Sequence, residues 1–105
     1  MGPDLDRLRI SAVILSVTGA LLGEVTPQLR GVSVRVDGEA ITGRFIFDTE
    51  LDDDMRELAR VAEGEVVADY WDIATVAFSA EYLPTNEAPT LGAAEHWVFL
   101  RREAR

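Results

Sequence analysis

Apolar residues recur along the chain at two periods, one helical and one extended, and the alternation between them sets out six elements. Leu5, Leu8, Ala12, Leu15, Gly19 and Leu22 fall at steps of three and four, which predicts an amphipathic helix over about Asp4–Leu22. A second apolar stripe, Ile10, Ile14, Val17 and Leu21, lies on the opposite side at 100° per residue. The first stripe is expected to pack on a sheet. The second is then a contact surface for a second copy of the chain, because a helix apolar on both sides is usually buried on both sides. The β-branched content of Arg9–Val17 leaves a strand as the alternative. Gly23 is the expected helix stop, with Pro27 soon after.

The extended period follows. Val32, Val34 and Val36 alternate with Ser33, Arg35 and Asp37, and Ile41, Gly43, Phe45 and Phe47 alternate with Thr42, Arg44 and Ile46. Asp37-Gly38 between them predicts a hairpin with a two-residue turn. A second helix is predicted over Glu50–Tyr70, with Thr49 as its N-cap and Leu51, Met55, Leu58, Ala62 and Val66 as its core stripe. Strands are expected at Ile73–Tyr82 and His96–Arg101, separated by a surface loop, Leu83–Ala94, rich in turn formers. The order α-β-β-α-β-β predicts an α+β domain: a four-stranded, mostly antiparallel sheet with two helices packed on one face.

Composition narrows what such a domain can do. At 105 residues with 48% apolar content, residues 1–105 form one domain, burying roughly 60 to 70% of the surface its unfolded chain exposes. Ten basic residues against nineteen acidic give a net charge of −9, which argues against direct nucleic-acid binding. With no cysteine and one histidine there is no disulfide framework and no zinc pattern, and no cofactor or metal is expected. All ten basic residues are arginine, for which codon bias toward GC-rich DNA is the plain reading; the planar fork also favours bidentate pairing with carboxylates. Met1-Gly2-Pro3-Asp4 lacks a positive n-region, and Ile10–Leu22 is too short and interrupted to span a bilayer. A cytoplasmic protein without membrane contact is expected.

The acids are unevenly spread. Asp48–Asp72 holds ten of them against Arg56 and Arg60. Glu50, Asp52, Asp53 and Asp54 suit the positive end of a helix dipole and need no further role. Glu63, Glu65 and Asp69 sit instead where the dipole favours cations, and with Asp72 they flank Tyr70 and Trp71. Acids around exposed aromatics suit a surface that grips a basic partner: the rings anchor and the charges steer. The alternative is a solvated helix end whose aromatics fold into the core. Asp53, Asp54 and Glu57 are the next candidates for steering.

Catalytic chemistry finds little support. Asp48-Thr49-Glu50-Leu51-Asp52 imitates the start of a calcium loop but lacks the glycine at position six and has Ala59 where a glutamate should close it. His96 has no nucleophile motif beside it, and Gly19, Gly23 and Gly31 form no phosphate-binding fingerprint. The chain reads as a binding protein and not as an enzyme.

Leu21-Leu22-Gly23-Glu24-Val25-Thr26-Pro27-Gln28-Leu29-Arg30-Gly31-Val32-Ser33-Val34 and the hairpin ending Phe45-Ile46-Phe47-Asp48 resemble small bacterial immunity proteins of contact-dependent growth inhibition and related polymorphic toxin systems. Glu65-Val66-Val67-Ala68-Asp69-Tyr70 and Trp97–Glu103 match later segments of the same group. The resemblance implies an intracellular protein that binds and neutralises one cognate toxin domain, often a nuclease. Joined to the charge pattern, it gives the leading expectation: an inhibitor that occludes a basic, nuclease-like toxin's active site with an acidic surface. Glu63, Glu65, Asp69 and Asp72 would supply the charge and Tyr70 or Trp71 the anchor. The rival expectations are a homodimeric structural or regulatory module, joined through Ile10, Ile14, Val17 and Leu21, and a small-molecule site between sheet and helices.

Overall fold

The computed structural model describes residues 3–70 and 75–103 of the chain. Its elements are α1 (Pro3–Leu21), β1 (Leu29–Asp37), β2 (Ala40–Phe47), α2 (Asp53–Tyr70), β3 (Thr75–Tyr82) and β4 (Glu95–Leu100). The expected α+β order and the two helices on a four-stranded sheet are present. Ile73 and Ala74 lie outside the described residues, as do Trp71 and Asp72.

The strand order is β3-β2-β1-β4. β1 pairs antiparallel with β2 and with β4, while β2 and β3 run parallel. The sheet is therefore mixed, because α2 connects β2 to β3 as a crossover and returns the chain in the same direction. At the hairpin the loop residues are Gly38 and Glu39, since Asp37 and Ala40 still pair. Gly38 takes φ +60° and Glu39 does not take positive φ, the pattern of a type II′ turn rather than the type I′ turn expected at Asp37-Gly38. Gly43 has a steric reason to be glycine: a Cβ there would stand 2.7 Å from the Phe78 ring.

Helices and sheet meet in one apolar layer. Val32, Val34, Ile41, Phe45 and Phe47 supply its floor, and Met55, Ala59, Ala62 and Val66 of α2 form part of its roof. From α1 the buried residues are Val13, Val17, Ala20 and Leu21, with Ile10 and Ile14 half-buried against them. This corrects the expected orientation. The stripe Ile10, Ile14, Val17 and Leu21 lies within the core-facing side and is not a dimer surface. Ala12 and Gly19 are exposed, Leu15 is 72% exposed and Leu22 is 77% exposed. Between Arg9 and Glu24 the helix carries no charged residue to mark its wet side, so periodicity alone could not choose. Gly23 ends it as expected, at φ +78°.

The face without helices is closed by a different device. Arg30 is 1% exposed; its Nη1 donates to the carbonyls of Leu83 (3.0 Å), Pro84 (3.0 Å) and Glu87 (2.8 Å). Its Nε and Nη2 take Glu103 bidentately, both at 2.8 Å. Arg44 reaches Glu95 (2.8 Å), Glu81 (2.9 Å) and the Thr90 carbonyl (2.7 Å). Arg101 joins Asp48 (2.7 Å) to Glu103 (2.8 Å). The segment 83–94 is thus a pinned cover on the second face, where Ile46 is fully buried. The guanidinium fork, with several donors in fixed directions, is what lets three side chains do this. Arg30 and then Arg101 hold the Glu103 carboxyl down at about 2, against an ordinary 4.5. Burial pushes the Glu95 carboxyl up, but the Gly92 N–H, the Ser33 hydroxyl and Arg44 outweigh it and leave it below its usual value.

Candidate functional site

The two helices lie antiparallel: the Ser16 hydroxyl of α1 donates to Asp69 late in α2 (2.5 Å), while Glu24, just beyond α1, faces the first turns of α2. Where they diverge, an open groove of about 430 Å³ forms between the α1–β1 connection, the end of β2 and α2. Its floor is Phe47, Met55, Leu58 and Val61, and its rim carries Glu24, Asp52, Asp54 and Glu57. Among the described residues none that lines it is basic.

Local physics accounts for part of that rim. Asp52 is the N-cap of α2, its Oδ1 accepting the Met55 N–H at 2.8 Å, in place of the expected Thr49. The helix consequently begins three residues later than the sequence pattern predicts. Asp53 and Asp54 then occupy the first turn, where the dipole favours carboxylates. Glu57 pairs with Arg60 (2.9 Å) and Asp53 more loosely with Arg56 (3.7 Å), both on the solvent side. Glu24 and Asp54 have no ion pair among the described residues. A carboxylate rim over an apolar floor matches an arginine or lysine of a partner, its stem on the floor and its head at the rim.

The predicted cluster at the far end of α2 does not form one patch. Glu63 points toward the sheet edge, where its Oε1 accepts the Phe78 N–H at 2.8 Å. Asp69 lies on the α1 flank, bonded to Ser16. Glu65 is exposed, and by helical spacing it falls on the flank that carries Asp54, Leu58 and Val61. Tyr70 is half-buried against the core; burial, and next the Asp69 charge, push its phenol up. Trp71 and Asp72 lie outside the described residues. Sequence reasoning reached Asp54 and Glu57 but missed Glu24 and the capping Asp52 as a shared rim. The available signal was that Glu24 is the only charged residue between Arg9 and Arg30. Among the described residues no helix is long and apolar enough to cross a membrane.

The family described as "MafI2 immunity protein" matches residues 10–103. Comparison with curated proteins gives no match. A solved structure described as "MamM CTD - Copper form" is similar over 75% of this chain and 91% of its own, at 18% identity and a TM-score of 0.41. A likeness at that level carries no argument about fold or activity.

Proposed function

The chain belongs to the MafI2 immunity protein family, and from that premise we propose that it neutralises one cognate toxin domain by binding it directly and covering its active region. The toxin in this reading is a basic, nuclease-like effector. Carboxylates of the immunity protein stand where substrate phosphates would otherwise sit, and the inhibitor itself performs no catalysis. The two proteins meet in the cytoplasm of the protected cell.

The observation that carries this reading is the groove beside α2, with its apolar floor, carboxylate rim and, among the described residues, no basic lining residue. Charge of one sign around a recess raises the encounter rate with a basic partner, and an apolar floor slows its departure. Asp53, Asp54 and Glu57 steer from the first turns of α2, joined by Glu24. Glu65 and Asp69 extend the negative flank along the helix.

The test uses the toxin domain whose growth inhibition this chain relieves on co-expression. Reversing Glu24, Asp54 and Glu57 to lysine should slow association and flatten its dependence on salt, since exposed charges act within a Debye length of about 8 to 10 Å. An on-rate and salt slope equal to those of the native chain would place the interface away from the groove.

A further inference from the structure

We propose that the open edge of β3 accepts an extended segment of the toxin partner as a fifth strand, and that Glu63 guards this edge until the partner arrives. The inference rests on the toxin-binding reading above and adds to it the mode of docking.

β3 is an edge strand, with β2 on one side only. The Thr75 N–H donates to the Glu39 carbonyl and the Leu83 N–H to the Phe47 carbonyl, both at 2.8 Å. By the two-residue period of a strand, the backbone groups of Val76, Phe78, Ala80 and Tyr82 therefore turn outward. Glu63 takes the Phe78 N–H at 2.8 Å. Among the described residues the N–H groups of Ala80 and Tyr82 have no acceptor.

Such a row is a template for another chain unless something blunts it. Two of the usual blunting devices, a bulge and a proline, are missing from the strand itself. Its ladder with β2 runs through eight consecutive pairs without a register shift, from Ala40↔Thr75 to Phe47↔Tyr82, and it contains no proline. The opposite edge is a poorer template: β4 has six residues, and its ladder with β1 shifts register between Val32 and Ser33. Among the described residues Glu63 is the one acceptor on the outward N–H groups of β3, a single carboxylate on a single donor.

Charge decides what the edge can accept. Over Asp53–Tyr70, α2 carries six acids against Arg56 and Arg60, and it packs against β3. A second copy paired through β3 would bring two such helices together on chains of net charge −9 each, so self-pairing is disfavoured. A basic partner meets the opposite net charge. Beside the edge lies a recess of about 330 Å³ lined by Arg56, Ala59, Arg60, Glu63, Phe78 and Ala80. As the incoming strand takes the Phe78 N–H, the Glu63 carboxylate is released into that recess beside the two arginines. The groove with the acidic rim lies on the other flank of α2.

The test is amide hydrogen exchange on the free chain and on its complex with the toxin domain whose growth inhibition it relieves. The Ala80 and Tyr82 amides should exchange rapidly in the free chain and slow by about 100-fold or more in the complex. Ser79 and Glu81, which face β2, should be slow in both. Ala80→Pro and Tyr82→Pro remove outward donors without touching the ladder to β2, and each should weaken binding about tenfold while the free variant melts near the native temperature. If either variant unfolds, exchange on the native chain decides. Native binding with Ala80 and Tyr82 still exchanging rapidly would overturn the strand pairing and leave the groove reading standing. Protection of those amides in the free chain as its concentration rises would show self-pairing and overturn it as well. Absence of native binding to any relieved toxin would overturn both readings together.

Discussion

Replacing Arg30 by methionine keeps an unbranched apolar stem and removes the guanidinium that pins segment 83–94 to the sheet. Five hydrogen bonds are lost, three to the carbonyls of Leu83, Pro84 and Glu87 and two to Glu103. Their costs do not add. Glu103 keeps Arg101 at 2.8 Å, and the carbonyls recover water if the segment lifts. Lifting, however, uncovers part of the face on which Ile46 is fully buried. Breaking a buried ionic pair costs about 3–5 kcal/mol, and the 1% exposure of Arg30 puts this site in that class. Against a total stability of about 5–15 kcal/mol the variant would be near its folding threshold. At about 4–8 °C per kcal/mol, its melting temperature should fall by about 12 °C or more. Urea unfolding followed by tryptophan fluorescence measures the loss, and thermolysin cleavage before Leu91 reports whether the segment has lifted. Arg30→Lys keeps the charge but cannot reach three carbonyls and a carboxylate together, so it should recover less than half of the loss. A methionine variant within about 1 kcal/mol of native, cleaved no faster, would refute the pinned-cover account.

Other consequences can be checked separately. The Glu103 carboxyl is held at about 2 when folded against 4.5 ordinarily, so its stabilisation is complete above 4.5 and lost as pH falls toward 2; Glu95 acts in the same direction. Urea midpoints from pH 7 to 2 should show that acid limb, and Glu103→Gln should flatten it while lowering stability at pH 7. Asp52→Ala removes the N-cap of α2 and should cost about 1 kcal/mol by the same assay, whereas Thr49→Ala should cost less. Gly43→Ala drives a methyl into the Phe78 ring at 2.7 Å and should cost about 1–3 kcal/mol, with a changed near-ultraviolet spectrum from the adjacent Phe45–Phe78 pair.

These sites also mark where the sequence was legible. The β1–β2 hairpin could be read because alternation at period two is interrupted by Gly38 at the turn. The buried face of α2 could be read because charged residues occupy the other side of the same turns. For α1 no such contrast exists, and the exposed and core-facing stripes were exchanged. Arg30 looked like an ordinary strand residue, since its burial depends on carbonyls more than fifty positions away. The site follows the same rule. Asp54 and Glu57 were visible as local charge, but their joining with Glu24 into one rim depends on how α1 and α2 pack. Glu63 was singled out for an unfavourable place on the helix dipole, and the structure supplies a local reason for it in the Phe78 N–H.

The central claim is that the acidic groove beside α2 meets a toxin and neutralises it. Growth rescue tests that most directly: cells producing the toxin domain are given either the native chain or the Glu24→Lys, Asp54→Lys, Glu57→Lys variant, at equal expression and with folding checked by melting. The native chain should restore growth and the folded variant should fail, its affinity reduced at least about tenfold by three reversed charges. Equal rescue by the folded variant would contradict the account.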